Sequence, residues 1–241
     1  MERELKITLK PFSNWKKVFS TLKKGFTNGK YSGGMFSSDG EYALLDLTEE
    51  KFYSSNSIIL NQIDIDINTK KNFDITYGER SSDSKDQLII LSRTIKTLAK
   101  QIKGTVPLEI MLSPEKTDFY AEGTLLFFSE GELIAKQGFF MPQDYALFPV
   151  KYIIRQIEFD VPFSISSEIL SVLLSKKSVK KDETIQLKDS VFNLNTIKKA
   201  IKSVHSTDFT LKPSIQSHAV WIIISNTTEF SVYIMPCRQS S

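Results

Sequence analysis

The chain has a single cysteine in 241 residues, Cys237, so no internal disulfide can form and no Cys/His set carries the spacing of a zinc site. Histidine is equally scarce: His205 and His218 are the only two, and neither has neighbours that suggest a triad or a metal centre. There is no glycine-rich dinucleotide or phosphate loop, no HExxH and no GxSxG, which leaves an enzyme only carboxylate-based routes. No enzymatic activity, cofactor or metal is therefore expected. No apolar run approaches the roughly 18 residues that cross a bilayer. The opening residues Met1-Glu2-Arg3-Glu4-Leu5 lack the apolar core of a secretory signal. With so little cysteine, the expected address is intracellular: nucleus, cytoplasm or a viral replication site. With 10 Gly, 8 Pro, 41% apolar and 24% charged residues, collagen-like and bulk disordered classes are also excluded.

What remains is a chain of alternating patterns. Period-two stretches predict strands over 4–10, 63–67, 106–113, 117–128, 156–163, 183–187, 209–212, 218–225 and 229–235. Turn chemistry punctuates them, as at Ser129-Glu130-Gly131 and Ser225-Asn226-Thr227-Thr228. Four helical patterns stand against this background. The first follows Ser13, a candidate N-cap, with Trp15, Val18, Phe19 and Leu22 at i, i+3, i+4 and i+7. The second is read from Ser84 to Lys103, with Leu88, Leu91, Ile95, Leu98 and Ile102 as its stripe. The third begins near Ser164 or Ser166, and the fourth near Asn195 with Ile197, Ala200, Ile201 and Val204. Few helices in a sheet-rich chain predict an α+β fold, antiparallel, with the helices on one face. The order strand, helix, strands, helix, strands recurs, although no repeat is visible by residue identity.

Charge is segregated among these patterns. Residues 14–26 and 85–103 each sum to +4, and 166–181 and 195–205 each to +3, so the remainder carries −11 for a total of +3. The basic residues are Lys16, Lys17, Lys23 and Lys24; Arg93, Lys96, Lys100 and Lys103; Lys176, Lys177, Lys180 and Lys181; and Lys198, Lys199 and Lys202. Helices favour Lys on solvated faces and near C-termini, but that preference alone predicts comparable Glu, which is nearly absent. A polyanion surface is the better account, most simply nucleic acid, DNA or RNA. Aromatic side chains are missing from the basic faces, so phosphates are contacted without base stacking and without sequence readout.

Three stretches resemble DNA sliding clamps of the proliferating-cell-nuclear-antigen type and the related checkpoint clamps. Tyr42-Ala43-Leu44-Leu45-Asp46-Leu47 followed by Glu50-Lys51-Phe52 is similar to a clamp strand ending in a valine-aspartate-leucine element and a phenylalanine. Ile157-Glu158-Phe159 through Leu174 is similar to the opening of a clamp's second domain. Glu183 to Pro236 reads as strand, helix from Phe192-Asn193-Leu194, and a terminal strand Phe230-Ser231-Val232-Tyr233-Ile234-Met235-Pro236. The resemblance implies two similar domains, 1–150 with a connector near 141–155 and 156–241. It implies a ring of two or three subunits, homo- or hetero-oligomeric, closed around duplex DNA of any sequence. It further implies polymerase or repair partners whose peptides dock beside the connector and tail, at Tyr145, Leu147, Phe148, Met235 and Pro236. The chain departs from the pattern in having only about 20 residues between its third and fourth helices. Either the second domain is truncated, or the helix near 85–103 is its first.

Other readings stand beside this one. A β-rich viral matrix, capsid or movement protein that coats nucleic acid or membrane fits the composition equally. Ile63-Asp64-Ile65-Asp66-Ile67 places two aspartates on one strand face, better explained by an edge strand than by a metal.

Overall fold

A computed structural model describes residues 5–26, 42–56, 58–69, 87–116, 121–138, 157–165, 167–175, 180, 183–215 and 220–237. The element order begins β1 (Leu5–Lys10), α1 (Trp15–Lys24), β2 (Tyr42–Asp46), β3 (Lys51–Ser55), β4 (Ile59–Asp64) and β5 (Asp66–Thr69). It continues with β6 (Gln87–Leu91), α2 (Ser92–Gln101), β7 (Leu108–Lys116), β8 (Ala121–Ser129) and β9 (Glu132–Gly138). A third helix α3 (Ser167–Ser175), the strands β10 (Thr184–Leu187) and β11 (Ser190–Asn193), and α4 (Leu194–Ser203) follow. The chain closes with β12 (Phe209–Pro213), β13 (Trp221–Ser225) and β14 (Phe230–Ile234).

The strands form an antiparallel five-stranded sheet, β5-β1-β7-β8-β9, and a seven-stranded sheet, β12-β13-β14-β4-β3-β2-β6, with β10-β11 as a separate hairpin. An internal symmetry follows from this order. β1 lies in the five-stranded sheet and leads through α1 into β2, β3 and β4 of the seven-stranded one; β6 lies in the latter and leads through α2 into β7, β8 and β9 of the former. Two strand-helix-three-strand units thus exchange sheets. The segment 157–165 lies along β12 through bridges Phe159–Ser214 and Phe163–Leu211, and it leads through α3, the hairpin and α4 into β12, β13 and β14. Among the described residues, the hairpin is the one strand element between α3 and α4. β14 then pairs with β4 from Phe230–Ile63 to Ile234–Ile59, so the seven-stranded sheet draws on both ends of the chain.

The core sits between the sheets and under the helices. Ile7, Leu9, Ile110 and Phe127 from one sheet meet Leu45, Phe52, Ile63 and Val232 from the other, with Trp15, Phe19, Ile95 and Leu98 from the helices. Gly25 ends α1 where a Cβ would stand 2.6 Å from the Ser54 carbonyl carbon, so the helix end can lie directly on β3. The β8–β9 turn fits its residues: Glu130 and Gly131 have φ of 52° and 82°, as a two-residue primed hairpin turn requires.

Four expectations change. The N-cap of α1 is Asn14, whose Oδ1 accepts from Lys17 N at 3.0 Å, while Ser13 turns away to donate to Glu229. The second helix starts at Ser92, because Gln87–Ile90 are buried in β6 and paired with β2; Leu88 and Leu91 are strand residues. This helix packs on α1, and Trp15 N donates to Gly104 O just beyond its end, so the two helices run antiparallel within the first part of the chain. α3 contains Glu168 and no basic residue, so the basic helices among the described residues are three. Asp64 and Asp66 do not share a strand face: the chain passes from one sheet to the other at buried Ile65, whose N–H donates to Glu50 O at 2.9 Å. No group of three metal-ligating residues occurs among the described residues.

Candidate nucleic-acid interface

The three basic helices cover one face of the seven-stranded sheet in a row. α4 packs on β14 and β4, α1 on β4 and β3, and α2 on β2 and β6 and, more extensively, on β9 of the five-stranded sheet. α1 touches both of its neighbours. Each helix directs its apolar stripe inward: Trp15, Val18, Phe19 and Leu22 on α1; Ile95 and Leu98 on α2; Leu194, Ile197, Ala200 and Ile201 on α4. The 3.6-residue period then places the intervening lysines on the outside.

Lys16, Lys23, Arg93, Lys96, Lys100, Lys103, Lys199 and Lys202 are exposed, and Lys17 and Lys24 are half-buried. Lys198 behaves differently: it is 8% exposed, on the inner side of α4, and leaves the open row. Lys180 is exposed but follows α3 rather than belonging to it; Lys176, Lys177 and Lys181 lie outside the described residues. No acidic residue occurs within α1, α2 or α4. The carboxylates sit elsewhere. Glu109 pairs with Lys6 at 2.9 Å on the five-stranded sheet, Asp46 caps a turn through Thr48 N and Glu49 N, and Glu229 holds Ser13.

The junction of α1 with α4 carries the strongest local electrostatics. Lys24 Nζ donates to Lys202 O at 3.2 Å, and Thr21 Oγ1 donates to Ser203 O at 3.2 Å. His205 adopts φ 50°, places Nε2 at 2.8 Å from Thr21 Oγ1, and tilts its ring over Phe230 at 4.8 Å. Burial, then the cations of Lys24 and Lys17, pull its pKa down to about 4, so it is neutral at pH 7. Lys24 is itself lowered, first by burial and then by the Lys202 charge. His205 is a structural residue rather than a ligand, and its link between the first and last helices depends on a contact 184 residues apart.

A pH effect on stability follows. With a folded pKa near 4 against 6.5 unfolded, the unfolded chain binds the extra proton between those values, so this stabilisation is complete above pH 6.5 and declines as pH falls toward 4. Urea midpoints of the wild type and His205→Gln should differ most at pH 7 and converge by pH 4.5. Parallel pH profiles would show that His205 does not titrate this way.

On the opposite face of the seven-stranded sheet lies a second apolar cluster: Tyr42, Leu44, Tyr53, Leu60, Ile89, Val220, Ile222 and Tyr233. Ile157, Phe159 and Met235 are partly buried against it, and Pro236 follows. Of the expected partner-binding residues, Met235 and Pro236 are thus placed at this cluster's margin, whereas Tyr145, Leu147 and Phe148 lie outside the described residues.

Solved DNA sliding clamps match this arrangement of antiparallel sheets and helices over nearly the whole chain, and the chain has their fold. The C. crescentus beta sliding clamp is similar with a TM-score of 0.60 at 8% identity, over 100% of this chain and 66% of that one. The DNA polymerase III beta subunit of Borrelia burgdorferi gives 0.59 at 14% identity, over 94% and 62%. The Helicobacter pylori beta clamp bound to a DNA ligase peptide gives 0.50 at 12%, over 96% and 66%. The chain therefore spans a little under two thirds of the length of these clamps. No protein-family model matches it, and no curated protein does.

Proposed function

We propose that the protein is a sliding clamp: a non-enzymatic ring subunit that encircles duplex DNA without reading its sequence and tethers a polymerase or repair factor. The observation that carries this reading is the row of three helices with basic outer faces and no acid within them, on a fold shared with bacterial clamps. Lys-based contacts neutralise phosphates as point charges and leave the protein free to slide.

Ring closure requires further copies or related subunits. β14 already extends one sheet by pairing with β4, whereas β9, the last strand of the second unit, pairs among the described residues only with β8 and presents Glu132, Leu133 and Lys136 to solvent. An unpaired edge of seven residues is a natural place for a second copy to continue the sheet. A partner peptide would dock at the second apolar cluster near Met235 and Pro236, on the side away from the basic helices. The ligase peptide on the H. pylori clamp gives that role a structural precedent.

Encirclement is tested with nicked circular duplex DNA. The purified protein, mixed with circles and with any loader it requires, should remain on them through gel filtration and leave when a restriction enzyme opens the circle. Equal retention on circles and linear fragments would instead identify a coating protein. Absence of binding to either at low salt would reject the nucleic-acid reading itself.

A further inference from the structure

The two halves of the chain are built alike but do not carry the same strands. β6 runs into α2 without a loop and pairs with β2, so that Leu91, the last residue before the helix, stands opposite Tyr42. β11 runs into α4 in the same way and pairs with β10, with Asn193 opposite Thr184. β10 is therefore the counterpart of β2, and the segment 157–165 with α3 is the counterpart of β1 with α1. Between β2 and β6 the chain makes β3, β4 and β5, and Asp46 stands 41 residues from Gln87. Between β10 and β11 it makes only the turn Lys188-Asp189. The second half thus has no counterpart of β3 or β4 at that place.

That loss leaves a helix and a strand edge open. α1 packs on β3 and β4, whereas α3, without such strands, packs on α4 among the described elements, and its Ile169 is 40% exposed. Leu194 N donates to Glu183 O at 2.8 Å, so Glu183, Ile185 and Leu187 face β11. Thr184 and Gln186, which alternate with them, turn their backbone N–H and C=O to the open side. Other edges are guarded. Gln137 covers β6, accepting from Leu91 N at 3.0 Å and donating to Ile89 O at 2.7 Å. Cys237 N covers β11, donating to Val191 O at 2.7 Å. The segment beside β12 carries Pro162, and the four-residue β5 begins with Asp66. Among the described residues, β9 and β10 are the two edges left without a guard.

Within the chain, β14 joins β4 and brings α4 against α1. Repeating that junction between copies would require β9 to meet a counterpart of β4, and the second half has none. We infer that β9 of a second copy pairs instead with β10, two strands further in, and that the α2 packed on that β9 then lies against α3. The charges agree. α2 carries Arg93, Lys96 and Lys100 and no acid, whereas α3 contains Glu168 and no base. Exposed Leu133 on β9 and Ile169 on α3 supply apolar surface on the two sides. Each copy offers one donor edge and one acceptor edge, so the contact runs head to tail. The inference deepens the ring reading, but its test involves no DNA.

Sedimentation velocity on the full chain should show concentration-dependent self-association. Gln186→Pro removes one open-side N–H and no hydrogen bond of the hairpin, and it should weaken association about tenfold. A cysteine pair gives a second readout that leaves the backbone of β10 intact. In a Cys237→Ser background, Lys136→Cys on β9 mixed with Gln186→Cys on β10 should form a disulfide-linked one-to-one dimer under mild oxidation, and neither variant should do so alone. Linkage of Lys136→Cys to itself would identify a symmetric β9–β9 pairing and overturn the inference. A wild-type chain that stays monomeric at micromolar concentration, or one that associates without giving the mixed dimer, would overturn it as well. The mixed dimer formed by a protein that circular DNA does not retain would keep this junction and remove the clamp reading. Retention on circles without the mixed dimer would do the reverse.

Discussion

Reversing Arg93, Lys96 and Lys100 to Glu should abolish measurable duplex binding at physiological salt while leaving the fold intact. All three are exposed on α2, with Ile95 and Leu98 turned the other way into the core, so no charge is forced inside. The magnitude follows from counterion release. At 0.1 M salt, each neutralised phosphate contributes about 0.9 of a decade to the binding constant, so three lost contacts lower affinity roughly 500-fold, before repulsion by the new carboxylates. The salt slope should fall by about three as well. Charge-matched reversals at Lys6, Lys10 and Lys212 are the control. Their strands are β1 and β12, and their side chains alternate with the core residues Ile7, Leu9 and Leu211 on the opposite sheet faces. Fluorescence anisotropy across 50–200 mM salt separates the two sets. Equal losses from both would mean that net charge alone drives binding, and the helix row would not be the interface.

The elements that carry this interface were legible where one face of the element is wet. On α1 and α4 the apolar residues recur at 3.6-residue spacing because one side packs and the other meets solvent, and the lysines fall out on the solvent side. The strands of the seven-stranded sheet were harder. Tyr42–Asp46 and Gln87–Ile90 are buried on both faces, so they show runs rather than alternation. The second helix was misplaced for the same reason. β6 runs into α2 without a loop, and Leu88 and Leu91 extend the stripe of Ile95 and Leu98 by coincidence of spacing. Lys198 resembles its neighbours Lys199 and Lys202 in residue type, but it stands four residues after Leu194 and three before Ile201, so the helical period itself puts it at the inner margin of α4. The junction of Lys24, Lys202 and His205 has no local signal at all, since its members meet only after β14 has paired with β4. What pattern reading recovers is amphipathic surface; what it misses is burial on two sides and contact between distant ends.

That long-range pairing also determines what a core mutation should do. Trp221→Ala should destabilise the whole protein by about 3–5 kcal/mol, the usual range for deleting a large buried aromatic. Trp221 is 2% exposed on β13 and sits between two rings: Phe192 of β11 at 5.0 Å and Phe163 of the edge segment at 5.5 Å, both edge-on. It therefore ties the hairpin and the edge segment to the main sheet, in the part of the chain with the fewest strands to share the load. Against a typical stability of about 5–15 kcal/mol, a loss of that size is severe. The substitution also leaves Trp15 on α1 as the one remaining tryptophan, a reporter in the first part of the chain. Because β14 and β4 are joined over five residue pairs, urea unfolding followed by Trp15 fluorescence and by far-UV circular dichroism should shift together. Trp221→Phe, which keeps a ring between Phe192 and Phe163, should recover part of the loss. If the dichroism fell well before the Trp15 signal, the second part of the chain would be melting alone. The seven-stranded sheet would then not be the cooperative unit that holds α1 and α4 side by side.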